Sequence, residues 1–220
     1  VLEKLDHPII EALLRYRELE KLRSTYVDGY LPLITEEGRI HTRFNQMAAT
    51  TGRLSSDRPN LQNIPVRSET GRTIRRAFIP TEGWLFLVAD YSQIELRVLA
   101  HMSGDPGLLE AFNTTSADIH TATAARVWGV RPEDVQPEMR RRAKMINFGL
   151  LYGMEAFGLA SRLGIPREEA AHHIETYFEQ FPDVKEFMQG VVRLARNQGY
   201  TTTLFGRRRY LPELKSDNYR

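Results

Sequence analysis

Arg140, Lys144, Phe148 and Tyr152 follow one another at i+4 steps within the stretch Met139 to Gly153, two cations and then two aromatics. At roughly 100° per residue these positions form a stripe that drifts slowly around one helical face. A core face would be aliphatic, and a solvated face has no use for Phe and Tyr. The stripe suits a ligand with a polyanionic end and a flat aromatic end, such as a nucleoside triphosphate. Pro137 fits the first helical turn, where its missing N–H costs nothing, and this sets the cations in the first two turns. The alternative is a basic surface helix whose Phe and Tyr pack inward.

A second candidate centre is Asp90. It closes the apolar run Trp84-Leu85-Phe86-Leu87-Val88-Ala89, which with Gly83 before it reads as a short buried strand delivering a carboxylate to its exit. Ser92 to Glu95 matches the S-x-x-E capping box, predicting a helix through Ile94, Val98, Leu99 and Met102 that Ser103-Gly104-Asp105-Pro106 stops. A carboxylate at a strand edge beside a helix N-terminus is a natural ligand for a hard cation; the plainer reading is a turn residue. For Glu95 the capping box is already a complete structural explanation. His120, in Asp118-Ile119-His120-Thr121, lies near a helix start and could donate to a phosphate.

The elements that must position these groups are mostly helical. From Pro106 to Gly199 the pattern predicts helices near 108–113, 118–128, 138–152, 154–163, 167–180 and 183–198, broken at Gly and Pro. Ahead of them, 9–27 reads as a packing helix ended by Asp28-Gly29, with a strand around 39–46 and another including Ala77, Phe78 and Ile79. Between those strands, residues 51–65 show no period and many short polar side chains. They read either as a surface loop or as a segment laying Arg, Asn and Gln donors along a sugar-phosphate backbone or minor groove. The end, Tyr200 to Pro212, reads as two β-rich pieces turning at Gly206, with an Arg triplet suited either to phosphate or to a solvated turn. The whole predicts an α+β chain in two lobes.

Composition excludes several classes. The 220 residues contain no cysteine, which removes disulfides, zinc–thiolate sites and cysteine nucleophiles. The net charge of +2 is too small for a global electrostatic argument, so local patches must carry any nucleic-acid contact. Of the 30 basic residues 25 are Arg, the cation with the planar fork suited to phosphate, a bias that a GC-rich genome or heat adaptation explains equally well. No apolar run approaches the roughly 18 residues of a membrane span. There is no H-E-x-x-H spacing, no G-x-x-x-x-G-K-[ST] or G-x-G-x-x-G loop and no G-x-S-x-G elbow. A first residue of Val and the absence of a signal peptide suggest a piece of a longer protein.

Three segments together resemble the family A DNA polymerases. Asp90-Tyr91-Ser92-Gln93-Ile94-Glu95-Leu96-Arg97 is similar to the family's first palm motif. Arg140-x-x-x-Lys144-x-x-Asn147-Phe148-Gly149-x-x-Tyr152-Gly153 is similar to its fingers helix. Thr51-Gly52-Arg53-Leu54-Ser55-Ser56 through Asn60-Leu61-Gln62-Asn63-Ile64-Pro65 is similar to its DNA-contacting segment, and order and spacing agree over essentially the whole chain.

The resemblance implies a right-hand polymerase architecture: a thumb helix to residue 30, the first part of a partial palm sheet over 31–103, mostly helical fingers over 104–198 and a return to the palm over 199–220. It implies a magnesium-dependent enzyme that adds deoxynucleoside triphosphates to a primer on a DNA template. Asp90, with the Tyr91 carbonyl, would bind two magnesium ions. Arg140, Lys144 and His120 would hold the triphosphate, Phe148 would stack on the incoming base and sugar, and Tyr152 would sit by the template base. Gln93 would join the nucleotide-binding set, and Glu95 would crowd the position of a ribose 2′-hydroxyl. Arg53, Asn60, Gln62 and Asn63 would contact the duplex near the primer end. The partners would be primer-template DNA and nucleotides, with no membrane, and the location cytoplasmic, nucleoid-associated if bacterial. A single-subunit RNA polymerase shares the Lys-and-Tyr fingers pattern, but a gate against the 2′-hydroxyl is the opposite of what it needs. The family's second catalytic carboxylate, usually in Val-His-Asp-Glu, is not among these residues, so the expectation for them alone is binding of primer-template or nucleotide without chemistry.

Overall fold

Helix follows where the sequence carries both an apolar stripe and a boundary residue, and the computed structural model reproduces that grammar over residues 7–66, 68–113 and 118–215, the residues the structure describes. The thumb-helix expectation for 1–6 and the palm-return expectation for 216–220 lie outside them. The chain divides into two compact units between Val88 and Ala89.

In the first unit α1 spans Pro8–Leu22, with His7 as N-cap and Pro8 in its first turn, and continues as a π-helical turn over Arg23–Val27. The wider turn brings Tyr26 and Tyr30 together with ring centroids 5.4 Å apart, edge to face, and Tyr30 meets Phe78 in the same manner at 6.3 Å. With Leu22 these tyrosines form a small core against Ile40, Leu61, Ile64 and Ile74. Burial raises the Tyr30 pKa, keeping its hydroxyl a donor. Helix α2, Glu69–Arg76, is capped by Ser68 and ends on Arg75 and Arg76, cations that complement the helix dipole.

Two expectations fail in this unit. Residues 77–79 are not a strand: Ala77 is the C-cap of α2 in helical geometry. The partner of β1 (Arg43–Asn45) is instead β2 (Ser55–Asp57), antiparallel with Phe44 opposite Ser56 and drawn from the polar segment whose composition hid it. Pairing of so short a strand is set by side-chain bonds to backbone: Thr42 Oγ1 lies 2.6 Å from Ser56 Oγ and donates to the Pro59 carbonyl at 2.7 Å. Nor is Trp84–Val88 a strand. No ladder partner lies beside it among the described residues, and its side chains are exposed, Leu87 at 94%. Apolar, β-branched composition favours a strand only where another backbone takes up its N–H and C=O groups.

The second unit is helical, with α3 (Ile94–Ser103), α4 (Pro106–Asn113), α5 (Ile119–Trp128), α6 (Pro137–Leu151), α7 (Ala156–Leu163), α8 (Arg167–Gln180) and α9 (Pro182–Gln198). Every one of these was legible to within a few residues. One core, including Leu96, Leu108, Ile119, Ile146, Leu159, Tyr177, Phe181 and Val184, joins them. Buried Asp105 fastens two helix starts at once: Oδ1 accepts from Gly107 N at 2.9 Å and Leu108 N at 3.1 Å, and Oδ2 accepts from Asp183 N at 3.2 Å. The end is an antiparallel hairpin, β3 (Tyr200–Thr202) with β4 (Arg208–Tyr210), turning where Gly206 has φ 80°. Among the described residues the β structure is therefore two separate two-stranded ladders.

The capping box at α3 is not formed. Gln93, not Ser92, is the N-cap, in the left-handed conformation at φ 54°, ψ 31°, so the chain turns into the helix one residue late and Ser92 stays outside it. No side chain caps this end.

Candidate nucleotide-binding site

Building outward from α6 shows which cations are available. Arg141 and Arg142 both turn to Glu138, at 2.6 Å and 3.2 Å, and those guanidiniums hold the Glu138 pKa down to about 2. Arg140 turns the other way, its Nε donating to Asp118 Oδ2 at 2.9 Å. Lys144, one turn on, is exposed and has no carboxylate partner among the described residues. The stripe read from the sequence is therefore present as far as Phe148, which is half-buried. Tyr152 falls just past the helix end, as its C-cap, and Gly153 at φ 74° turns the chain there.

Helix α5 packs along α6 and supplies the rest of this face. Asp118 caps α5, accepting from Thr121 N at 3.1 Å and from Thr121 Oγ1 at 3.2 Å. Its other oxygen accepts from Gln93 Nε2 at 3.1 Å. Burial pushes the Asp118 carboxyl up, but the Arg140 and Thr121 bonds and nearby positive charge outweigh it, leaving its pKa below the usual value.

His120 does not stand open on this face. It is 3% exposed, its ring 5.7 Å from that of Phe148. Asn147 Nδ2, from the buried side of α6, lies 3.1 Å from its Nδ1 and donates to Thr123 Oγ1 at 3.0 Å. Since an amide nitrogen only donates, Nδ1 accepts and the neutral ring carries its proton on Nε2. Burial lowers the His120 pKa, with Arg140 and Lys144 adding to the effect and Asp118 opposing it. Sequence reasoning passed over Asn147, Thr123 and Asp118. The signal for the first was a polar residue on the buried side of an otherwise apolar pair of turns.

Glu95, in the first turn of α3, accepts a hydrogen bond from the Tyr152 hydroxyl. Glu95 and Tyr152, expected at the sugar and the template base, are thus brought together directly. Asp90 and Tyr91 precede this turn, and both are exposed, which corrects the expectation of a carboxylate at a buried strand edge. The turn is pinned by Arg97, whose Nε donates to the Ser92 carbonyl at 3.1 Å while its guanidinium lies 4.7 Å over the Phe112 ring. One carboxylate and one carbonyl are hard oxygen donors, yet no group of three His, Cys, Asp or Glu able to hold a metal exists among the described residues. These residues by themselves do not fit a centre for two magnesium ions.

The segment of Arg53, Asn60, Gln62 and Asn63 belongs to the first unit. Two buried tyrosines hold its backbone: Tyr30 donates to the Asn60 carbonyl at 2.6 Å and Tyr26 to the Asn63 carbonyl. Residues 61–63 form a 3-10 turn that Asn60 caps by accepting from Gln62 N at 3.0 Å. The side chains of Arg53, Asn60, Gln62 and Asn63 are all exposed. Fixed carbonyls and outward amides make an ordered row of donors, not a loose loop. Among the described residues no helix is long and apolar enough to cross a membrane.

The chain is 57% identical over 211 residues to the thermostable DNA polymerase I of Thermus aquaticus, covering 96% of this chain and 25% of that protein. It is 54% identical over 223 residues to DNA polymerase I of Geobacillus stearothermophilus, covering 100% of this chain and 25% of that protein. The POL domain of Pol1 from M. smegmatis, solved in complex with DNA primer-template and dNTP, superposes with a TM-score of 0.88 at 51% identity, over 99% of this chain and 38% of that one. The chain thus spans about a quarter of the length of these curated relatives. The profile of DNA polymerase family A matches residues 1–220, and the chain belongs to that family.

Proposed function

We propose that these residues are the nucleotide-binding and duplex-contacting part of a DNA-templated DNA polymerase, which adds deoxynucleoside triphosphates to a primer 3′-hydroxyl. The observation that carries the reading is the convergence on the α5–α6 face of Arg140, Lys144 and Phe148, with His120 buried against Phe148 and the Glu95–Tyr152 pair joining the start of α3 to the end of α6. Arg140 and Lys144 offer N–H donors to the triphosphate, and such donors lower the barrier when charge develops on the leaving phosphates. Neutral His120, held with its proton on Nε2, offers a further donor once the ring is reached. Phe148 gives the incoming base a flat apolar surface. Glu95, its carboxylate held by the Tyr152 hydroxyl, stands at the place of the sugar and excludes a 2′-hydroxyl. Gln93 orients the start of α3.

Asn60, Gln62, Asn63 and Arg53 donate toward the duplex, where minor-groove acceptors common to all base pairs report pairing shape. Asp90 and the Tyr91 carbonyl are the donors these residues offer to a divalent cation, a set that one carboxylate does not complete. For the 220 residues themselves the proposal is therefore binding and orientation of nucleotide and primer-template. The test is single-nucleotide extension of a labelled primer-template, run on these 220 residues and on the longer polymerase chain. Extension by the longer chain alone supports the reading; extension by the short chain means that another carboxylate completes the centre and the account of Asp90 is wrong.

A further inference from the structure

We propose that Asp118 is a positioning residue for nucleotide binding, whose one carboxylate sets both the Arg140 guanidinium and the turn that carries Asp90. The proposal rests on the reading of Arg140 as a triphosphate ligand.

The carboxylate divides its work between its two oxygens. Oδ2 takes Arg140 Nε at 2.9 Å together with the α5 cap bonds, and Oδ1 takes Gln93 Nε2 at 3.1 Å. A guanidinium has five N–H groups in a planar fork. Asp118 engages the Nε edge, the end nearest the backbone, and leaves the four terminal N–H groups for an anion. The Arg140 side chain is 48% exposed and that of Asp118 29%, so the carboxylate backs the fork from the protein side. Arg141 and Arg142 show the contrast: both are drawn onto Glu138 and face elsewhere.

The second arm reaches Gln93, the left-handed residue between Tyr91-Ser92 and α3. Arg97 holds the same turn from its other side through the Ser92 carbonyl. Removing the Gln93 bond takes away a side-chain tie that Arg97, bound to the Ser92 carbonyl, does not replace at Gln93. A cap alone explains neither arm, because Ser or Asn would satisfy Thr121 N equally well. Nor is fold stability a sufficient reason, since a half-exposed ion pair contributes little to it. What the pair does supply is a fixed direction for a side chain with many rotamers, and misplacement of a binding group is costly to catalysis.

Asp118→Asn and Asp118→Ser keep an N-cap acceptor and remove the charge, so both are to be made in the longer polymerase chain, alone and with Arg140→Ala. Nucleotide KM and kcat for single-nucleotide addition are measured beside thermal melts. The expected result is a nucleotide KM raised about five- to tenfold by either Asp118 variant, with a smaller change in kcat and an unshifted melt. The Asp118→Asn, Arg140→Ala double variant is expected to raise nucleotide KM no further than Arg140→Ala, because in nucleotide binding both act through one group, while loss of the Gln93 arm is read in kcat. A wild-type KM in both Asp118 variants, or an effect that multiplies with that of Arg140→Ala, overturns the positioning role and leaves Arg140 a ligand. If Arg140→Ala itself leaves KM unchanged, the nucleotide reading of Arg140 falls, and the role of Asp118 with it.

Discussion

Replacing Asn147 with Ala tests whether the α5–α6 face is organised by its buried polar contacts. Asn147 is fully buried and serves two neighbours, His120 Nδ1 at 3.1 Å and Thr123 Oγ1 at 3.0 Å. Truncation leaves a ring nitrogen and a hydroxyl inside the protein without that partner. Each orphaned group costs about 1 to 3 kcal/mol, giving about 2 to 6 kcal/mol for the pair. The hydroxyl can rotate toward an i−4 carbonyl, so the lower half of the range, about 3 kcal/mol, is the expected loss. For a chain of this size that corresponds to a melting point lowered by about 6 to 12 °C. Urea unfolding read by circular dichroism, with the slope checked for constancy, gives the number directly. A loss below about 1 kcal/mol would refute the reasoning, since it would mean that water or a rearranged side chain satisfies both groups. Nucleotide KM should rise in the same variant, because the freed His120 ring no longer holds its proton on Nε2.

Three further outcomes are expected. Asp90→Ala in the longer chain should abolish primer extension while nucleotide binding, followed by fluorescence of a labelled analogue, stays near wild type; an undiminished rate would remove Asp90 from the chemistry. Glu95→Ala should raise ribonucleotide incorporation by about tenfold or more, as expected when a steric exclusion is lifted, and Tyr152→Phe should do so more weakly because it removes only the bond that steadies Glu95; competition between a ribonucleotide and its deoxy counterpart reads both, and unchanged discrimination in Glu95→Ala counts against the gate. Acidification should destabilise the helical unit. Burial is the largest cause lowering the pKa values of both His120 and His173 from the usual 6.5, so the unfolded chain binds more protons just below that pH and stability falls as pH drops through it. His173→Gln should flatten part of that slope in urea midpoints taken across the range, and an unchanged slope would place the proton uptake elsewhere.

The contrast between helices and strands in this chain has one physical root. A helix satisfies its backbone within itself, so Pro182 at the start of α9 and Gly104 after α3 were readable from local sequence. A strand is defined by a partner elsewhere, so Trp84–Val88 looked like one and is not, whereas polar Ser55–Asp57 did not look like one and is. The site divides along the same line. Arg140, Lys144 and Phe148 share one helix, and their spacing alone placed them on one face. The groups that aim them, Asp118 and Asn147, lie 22 and 27 residues from the side chains they hold, Arg140 and His120. No periodicity links positions that far apart, because the link is a packing contact between two helices. The residues proposed as nucleotide ligands were therefore visible as a pattern, while the residues that hold them became visible only when α5 was laid against α6. If that division is right, substitutions at Asp118 and Asn147 should alter nucleotide affinity although neither side chain has any place in the stripe.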